Sequence, residues 1–116
     1  MMRYLKNPLL FLFFFSFLCK ARAQSADSSR YFYLKAMEEK SNRLYQPAYI
    51  DFLHSLEYDS LNADALRETG LTAVELRKYE NAIVAFEKLA AVRKKDTTAV
   101  SQLAVLYFWT HRWEKA

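Results

Sequence analysis

The chain has 116 residues, enough for one small domain at most. Its 17 lysines and arginines exceed its 13 acidic residues, and such an excess often indicates a nucleic-acid or membrane-surface partner. A single glycine excludes a Gly-rich phosphate loop, and two histidines with one cysteine are too few for the usual zinc sites.

The basic excess belongs to the N-terminal segment, which has the three parts of an export signal. Residues 1–8 are basic, residues 9–18 are apolar apart from one serine, and Ala21 and Ala23 stand where a signal peptidase reads small residues. The apolar run is about half of the ~20 residues that a membrane-spanning helix needs. We therefore predict a signal peptide over residues 1–23 that is cleaved after Ala23.

Cleavage there changes the charge and the redox chemistry of the chain. It removes four of the 17 basic residues and none of the 13 acidic ones, which leaves 13 of each. The argument for a nucleic-acid partner is then lost. The only cysteine, Cys19, leaves as well, so no disulfide can form within the exported chain. The alternatives are an uncleaved signal that anchors the chain in the membrane and, less favoured, a lipoprotein modified at Cys19. Phe17 and Leu18 are larger than the residues that normally precede a lipidated cysteine.

Composition predicts an all-α fold, because helix formers dominate and the chain has one Gly and two Pro. We expect helices at about 27–43, 47–58, 63–77, 80–94 and 97–111, with a sixth beginning near residue 113. Asn62 and Asp96 are suited to cap the third and fifth helices, and Pro47 suits the first turn of the second helix.

A pattern recurs every 34 residues. Its second half reads aromatic-x-x-Ala-x-x-x-Phe, first as Tyr45, Ala48 and Phe52, then as Tyr79, Ala82 and Phe86, and finally as Trp113 and Ala116. Its first half places apolar residues at Phe32, Leu66 and Val100, small residues at Ala36, Gly70 and Ala104, and the Leu103-Ala104-x-x-Tyr107 string in the last unit.

This pattern resembles the tetratricopeptide repeat (TPR), a 34-residue helix–turn–helix unit with the signature W-x2-L-G-x2-Y…A-x3-F…P. The resemblance implies antiparallel helical hairpins stacked as a short right-handed α-solenoid. Residues 24–62 would form a degenerate or capping repeat, residues 63–96 a TPR, and residues 97–116 the first part of a third, truncated one. The first unit departs most from the signature, with Lys35, Ala36 and Glu39 where L, G and Y would stand.

The repeat also implies roles for its small and large residues. The small residue of the first helix lets the second helix approach closely, and the Phe fills the space between adjacent repeats. Gly70 inside a helix costs roughly 1 kcal/mol relative to Ala, so we expect it to mark a close contact.

No residue pattern indicates catalysis, a cofactor or a metal, so we predict that the chain is not an enzyme. His54 and His111 are expected to be solvated or locally hydrogen-bonded. Acid pairs such as Glu38 with Glu39, or Asp59 with Asp64, are expected to be solvated or to cap helices. The basic residues of 93–96 are expected in the last turn of a helix, where the helix dipole favours cations.

The resemblance implies that first helices line a concave face that holds extended peptides or partner helices. The residues in the inward positions, here called the candidate face, are Tyr33, Met37, Lys40, Arg67, Leu71, Val74, Glu75, Ser101, Val105, Phe108 and Trp109. Several of them, Phe108 and Trp109 above all, could instead serve only to pack on neighbouring repeats. For Arg67 and Glu75 the alternative is simple solvation.

The sequence therefore favours a non-catalytic interaction scaffold with a protein or peptide ligand. The Phe-rich signal resembles those of Bacteroidetes-type envelope proteins, which implies the periplasm or outer envelope of a Gram-negative bacterium. Two alternatives stay open: docking repeats of a larger envelope protein with a cell-wall-binding or sensor domain downstream, or the docking arm of an enzyme. An incomplete third repeat leaves an apolar face open, so we also expect self-association.

Overall fold

The computed structural model describes the backbone of residues 8–111 and the side chains of residues 12, 15, 16, 20 and 22–111. Within these residues every regular element is an α-helix, so the prediction of an all-α fold is confirmed for this part of the chain. The helices are α1 (Pro8–Ser41), α2 (Tyr45–Tyr58), α3 (Ala63–Glu75), α4 (Tyr79–Val92) and α5 (Thr97–Trp109).

Several helix boundaries differ from those expected. The helices α1, α3 and α5 each end two residues before the expected position, at Ser41, Glu75 and Trp109, and α2 begins two residues earlier, at Tyr45. The first helix was expected to begin near residue 27, but α1 begins at Pro8 and runs through the predicted cleavage position after Ala23. The fourth helix was expected to continue to residue 94, but α4 ends at Val92 because Arg93 adopts an extended conformation. The basic residues after Val92 therefore lie beyond the helix, and the prediction that they occupy its last turn is wrong.

The helix pattern itself recurs every 34 residues. Both α2 and α4 have 14 residues and start 34 positions apart, and both α3 and α5 have 13 residues with the same offset. The N-caps of α3 and α5 are Asn62 and Asp96, whose side chains accept hydrogen bonds from the amides of Ala65 and Ala99. Both predicted caps are thus confirmed.

Three helix ends share one backbone geometry at the same spacing. Arg43, Arg77 and His111 have positive φ values of 60°, 58° and 59°, each two residues beyond the end of a helix. After α3, the amide of Arg77 donates to the carbonyl of Val74 and the amide of Lys78 to that of Ala73, at 2.9 and 2.8 Å. This is a Schellman motif, in which the left-handed residue is usually glycine. The turns therefore have the glycine-type conformation without glycine.

Antiparallel pairing of α1 with α2 is set by contacts along both helices. Ser29 Oγ donates to the carbonyl of Ser55 at 3.0 Å, and Ser55 Oγ donates to the carbonyl of Ser29 at 2.8 Å. Towards the end of α2, Ser25 Oγ donates to the carbonyl of Tyr58. Buried serines in reciprocal bonds allow a close helix approach while satisfying their own polar groups.

The core follows the small and aromatic positions of the repeat. Ala36, Ala48 and Phe52 are buried together between α1 and α2. A larger cluster joins α3, α4 and α5, with Leu66, Ala82, Ile83, Phe86, Leu89, Ala99 and Leu106 among its buried members. Repeat-defining residues therefore supply half of the buried residues in the two core clusters.

The close contact expected at Gly70 is present, with the ring of Phe86 lying directly against it. The ring of Phe86 fills the space above Gly70, within the pair formed by α3 and α4, and Phe86 also belongs to the core cluster that includes residues of α2 and α5. A glycine at this position removes the Cβ that the ring would otherwise meet.

Candidate partner-binding surface

Polar contacts divide the described helices into two layers. The Lys40 ammonium of α1 pairs with the Glu68 carboxylate of α3, and Arg67 of α3 reaches Asp96 at the start of α5 with Nη2 and Oδ2 3.6 Å apart. In the second layer, Asn81 of α4 donates to the hydroxyl of Tyr49 of α2 at 2.9 Å. The helices that carry the candidate face thus neighbour one another in one layer.

The two basic residues of the candidate face, Lys40 and Arg67, are already paired within the chain. Arg67 contacts Asp64 with 3.2 Å between Nη1 and Oδ1, in addition to its contact with Asp96. Because Lys40 is also paired, a ligand carboxylate would compete with these acids. Replacing Arg67 with Glu would place a third negative group beside Asp64 and Asp96, so its effect on binding could not be separated from its effect on folding.

The apolar residues of the candidate face fall into two groups. Tyr33, Met37, Leu71 and Val74 are partly buried and pack against the core clusters, as the packing interpretation expects. Burial raises the pKa of the Tyr33 hydroxyl, and the negative charges of Glu68 and Asp64 raise it further. These side chains contribute mainly to the stability of the fold and only by their edges to a surface.

The second group, on α5, is exposed. Phe108 and Trp109 are 59% and 56% accessible, and Val105 is also exposed. The Trp109 ring is supported on one edge by Tyr79, with 5.9 Å between ring centroids. Glu75 and Ser101 are exposed as well. A contiguous run of exposed aromatic and aliphatic side chains on one helix is typical of an interaction site.

A neighbouring strip of exposed residues on α5 can be compared with the equivalent positions on α3, which another helix covers. Val100, Ala104 and Phe108 stand 34 residues after Leu66, Gly70 and Val74. On α3, Leu66 and Gly70 are buried, with Phe86 of α4 against Gly70. On α5, Val100, Ala104 and Phe108 are all exposed. This strip is thus exposed where the equivalent strip on α3 is covered by an amphipathic helix.

The structure places most of the repeat-defining residues in the interior. Those that are fully or almost fully buried are Ala48, Phe52, Leu66, Gly70, Ala82, Phe86 and Tyr107. Tyr45, Tyr79 and Leu103 are partly buried, and Ala104 is exposed. Trp113 and Ala116 lie outside the described residues, as does the expected sixth helix.

The structure contains an acidic cluster between α1 and α2 that was not predicted from the sequence. Glu38 is solvated as expected, but the Oε2 atom of Glu39 is buried and has no hydrogen-bond donor in the described residues. Asp51 is buried and pairs with Lys35, with 3.2 Å between Nζ and Oδ2. Burial of Glu39 could have been predicted, because this residue occupies the position where the repeat signature has an inward-facing Tyr.

The electrostatics of this cluster favour a shared proton. A hydrogen bond to Asp51, burial and the negative charge of Asp51 raise the pKa of Glu39. With both carboxyls ionised, Glu39 Oε2 has nothing to accept from, whereas a protonated Glu39 can donate to Asp51. Lys35 compensates one charge, and its own pKa is raised by the hydrogen bond to Asp51. The cluster lies between α1 and α2, and we assign it a role in stability.

The two histidines lie far apart in the sequence, one on α2 and one after α5. His54 is partly exposed, its ring lies tilted against Phe32 with 5.2 Å between ring centroids, and its Nδ1 is 3.4 Å from Glu57 Oε2. His111 is exposed and occupies the turn after α5.

In the part of the chain that the structure describes, three or more metal-ligating side chains do not cluster anywhere. Over the same residues, no helix combines the length and apolarity required to cross a membrane.

In comparisons with known proteins, no family model matches the chain and no curated sequence matches it. Function must therefore be inferred from the arrangement of the residues.

Proposed function

We propose that the chain is a non-catalytic interaction scaffold of the TPR type, which binds a peptide or partner helix on the candidate face. The observation that carries the proposal is the exposed row of Val105, Phe108 and Trp109 on α5. Exposed aromatic side chains supported from below lose little conformational entropy on binding, and for this reason they dominate binding energy in protein interfaces.

The 34-residue spacing supports the TPR assignment. It extends beyond the sequence motif to helix lengths, N-caps and the left-handed turn residues Arg43, Arg77 and His111. A unit that repeats in its caps and turns as well as in its core residues is what stacked helical repeats require.

We also propose that the chain is exported and that its ligand is a component of the cell envelope. The side chains of Leu12 and Phe15, in the predicted signal, are largely exposed, as suits a segment recognised by the export machinery. N-terminal sequencing of the protein recovered from the periplasm should begin at Gln24. Recovery of a chain that begins at Met1 in the membrane fraction would instead support the uncleaved anchor.

The second candidate is that these helices are docking repeats of a larger envelope protein. The exposed strip of Val100, Ala104 and Phe108 favours it, because the equivalent strip on α3 is covered by a following helix. Reading the gene beyond the codon for Ala116 tests this alternative. A cell-wall-binding or sensor domain encoded downstream supports it, further repeats alone favour the scaffold, and a stop codon contradicts it.

Site-specific photocrosslinking tests the scaffold function. A benzophenone amino acid is introduced at Val105 or, as a control, at Ala91, which is exposed on α4. After irradiation of the producing cells, we expect a discrete adduct at Val105 and none at Ala91. Phe108→Asp should abolish the adduct, and Val92→Asp, an exposed change on α4, should preserve it.

The controls separate binding from folding and from self-association. Circular dichroism should show unchanged helicity for Phe108→Asp, because the side chain is exposed. Equal adducts at both positions, no adduct at either, or an adduct of twice the mass of the chain as the sole product would each count against a scaffold with a separate partner.

A further inference from the structure

A groove on the second layer is independent of the candidate face. Leu53 and Leu56 of α2 form one wall, Val84 and Ala85 of α4 form the other, and α3 provides the floor through Leu66 and Thr69. Both walls offer apolar surface to solvent, since Leu53 is 39% and Val84 51% accessible. We call this feature the α2/α4 groove.

Polar and charged side chains also line the groove, and its charge is positive. Tyr49 and Asn81 line it and are hydrogen-bonded to each other, so this pair is fixed in position. Lys88 is the single charged residue among the described residues that line the groove. A second ammonium, that of Lys78, sits 4.8 Å from the centre of the Tyr49 ring. The groove therefore combines apolar walls with one lining ammonium and a second one nearby, and no carboxylate is among its described lining residues.

The size of the groove limits what can enter it. Its volume is about 230 Å³. This exceeds the ~150 Å³ of a cavity that accepts benzene, but it is below the ~300 Å³ at which small-molecule and cofactor sites usually begin. One leucine-sized side chain fits this volume, whereas a cofactor or a long acyl chain does not.

We propose that the α2/α4 groove is a second docking site, which takes a leucine-sized side chain of an acidic peptide segment in a partner protein. The apolar side chain displaces water from Leu53, Leu56 and Val84, and a neighbouring carboxylate of the peptide pairs with Lys88. The complementarity of charge favours an acidic peptide over a basic one, and the volume favours a side chain over a lipid. This surface lies on α2 and α4, so it can be occupied while a ligand covers the candidate face.

Methyl NMR on the full chain tests the groove with defined probes. The first probe is the capped peptide acetyl-Gly-Asp-Leu-Asp-Gly-amide, and the matched probes replace its Leu with Ala or both Asp with Asn. We expect the first peptide to shift the methyl signals of Leu53, Leu56 and Val84. The Ala peptide should bind at least tenfold more weakly, because burying a leucine side chain contributes about 1.5–3 kcal/mol. The Asn peptide should bind about two- to fivefold more weakly, as expected for an exposed ion pair.

Variants of the chain locate the binding. Val84→Trp fills the groove from an exposed position and should abolish the shifts with the fold retained by circular dichroism. Lys88→Gln should remove the preference for the Asp peptide, and Lys94→Gln, an exposed change in the loop after α4, should leave it intact. The proposal is overturned if Val84→Trp binds as the parent does, if the groove methyls do not shift, or if decanoate binds more tightly than hexanoate at the same methyls, which would indicate a lipid site. The probes and variants do not involve α5, so their outcome is independent of the crosslinking result.

Discussion

Gly70 and Phe86 are packed so closely that a side chain at residue 70 cannot be added without movement. A Cβ built on Gly70 would lie 2.6 Å from Cζ of Phe86 and 2.8 Å from each Cε atom. Phe86 is fully buried, so its ring has little room to withdraw.

Gly70→Ala should therefore destabilise the chain, although alanine is the better helix former. We expect a net loss of about 1–2 kcal/mol, since overpacking typically costs 1–3 kcal/mol and the gain in helix propensity is at most about 1 kcal/mol. Urea denaturation of Gly70→Ala, Phe86→Leu and the double variant measures the coupling. Phe86→Leu should be less harmful, or even stabilising, when residue 70 is Ala. Additive effects of the two changes would contradict a direct contact.

Arg77→Gly should stabilise the chain, whereas most substitutions by glycine lower the free energy of unfolding. Arg77 has a φ of 58°, a conformation that is strained for side chains and free for glycine. We expect a gain of about 0.5–1 kcal/mol in the free energy of unfolding. The matched control is Ala104→Gly, at an exposed position inside α5, which should lose about 1 kcal/mol. A loss in both variants would show that the Arg77 side chain contributes more than its backbone strain costs.

Glu39→Gln should stabilise the chain at neutral pH. The pKa of Glu39 is raised above its ordinary value of 4.5, so the folded chain holds this proton more tightly than the unfolded chain. Stability from this residue therefore rises as the pH falls from neutral through the raised pKa, and the gain is complete once the unfolded carboxyl is also protonated. An amide can donate to Asp51 at every pH and should contribute on the order of 1 kcal/mol at pH 7.

The measurement is the difference in unfolding free energy between the Gln variant and the parent from pH 7 to pH 4. It should shrink as the pH falls. Glu38→Gln, at the exposed neighbour, is the control and should change stability by less than about 0.5 kcal/mol at any pH. A difference for Glu39→Gln that is constant with pH would contradict the shared proton with Asp51.

Asp96 both caps α5 and holds α3 to it. Its Oδ1 accepts from the amide of Ala99 at 3.0 Å, and its Oδ2 faces Arg67. Asp96→Ala should cost about 1–2 kcal/mol because the cap is lost, whereas Asp96→Asn keeps the cap and should cost no more than about 1 kcal/mol. The Ala99 amide and Arg67 hold the pKa of Asp96 below 3.8. The advantage of Asp over Asn is therefore present above pH 3.8 and is lost as the pH falls through the lower folded value, which acid-unfolding curves would show.

Self-association through α5 should depend on concentration and on the exposed apolar strip. Sedimentation velocity is expected to show dimers or larger species of the chain at high micromolar concentration. Val100→Lys should shift the distribution towards monomer with little effect on helicity, because Val100 is exposed. A parent chain that stays monomeric over this range would contradict the prediction.

Features that depend on neighbours along the chain were accessible from sequence alone. Helical content, the 34-residue spacing and the caps at Asn62 and Asp96 follow from local propensity and side-chain-to-backbone bonds, which need no distant partner. The helix ends were misplaced by about two residues at Arg77 and Lys94, because a left-handed or extended residue without glycine leaves no signature in the sequence.

Features that depend on distant partners emerged only when the helices were packed together. Nothing local shows that Glu39 is pressed against Asp51, that Arg67 is occupied by Asp96, or that α2 and α4 leave a groove over α3. The same residue types are solvated on an isolated helix, and burial against a second helix changes their energetics. Sequence periodicity thus predicted most of the inward-facing repeat positions, and the packing of one helix against another decided which charges are shared and which surfaces are left to a partner.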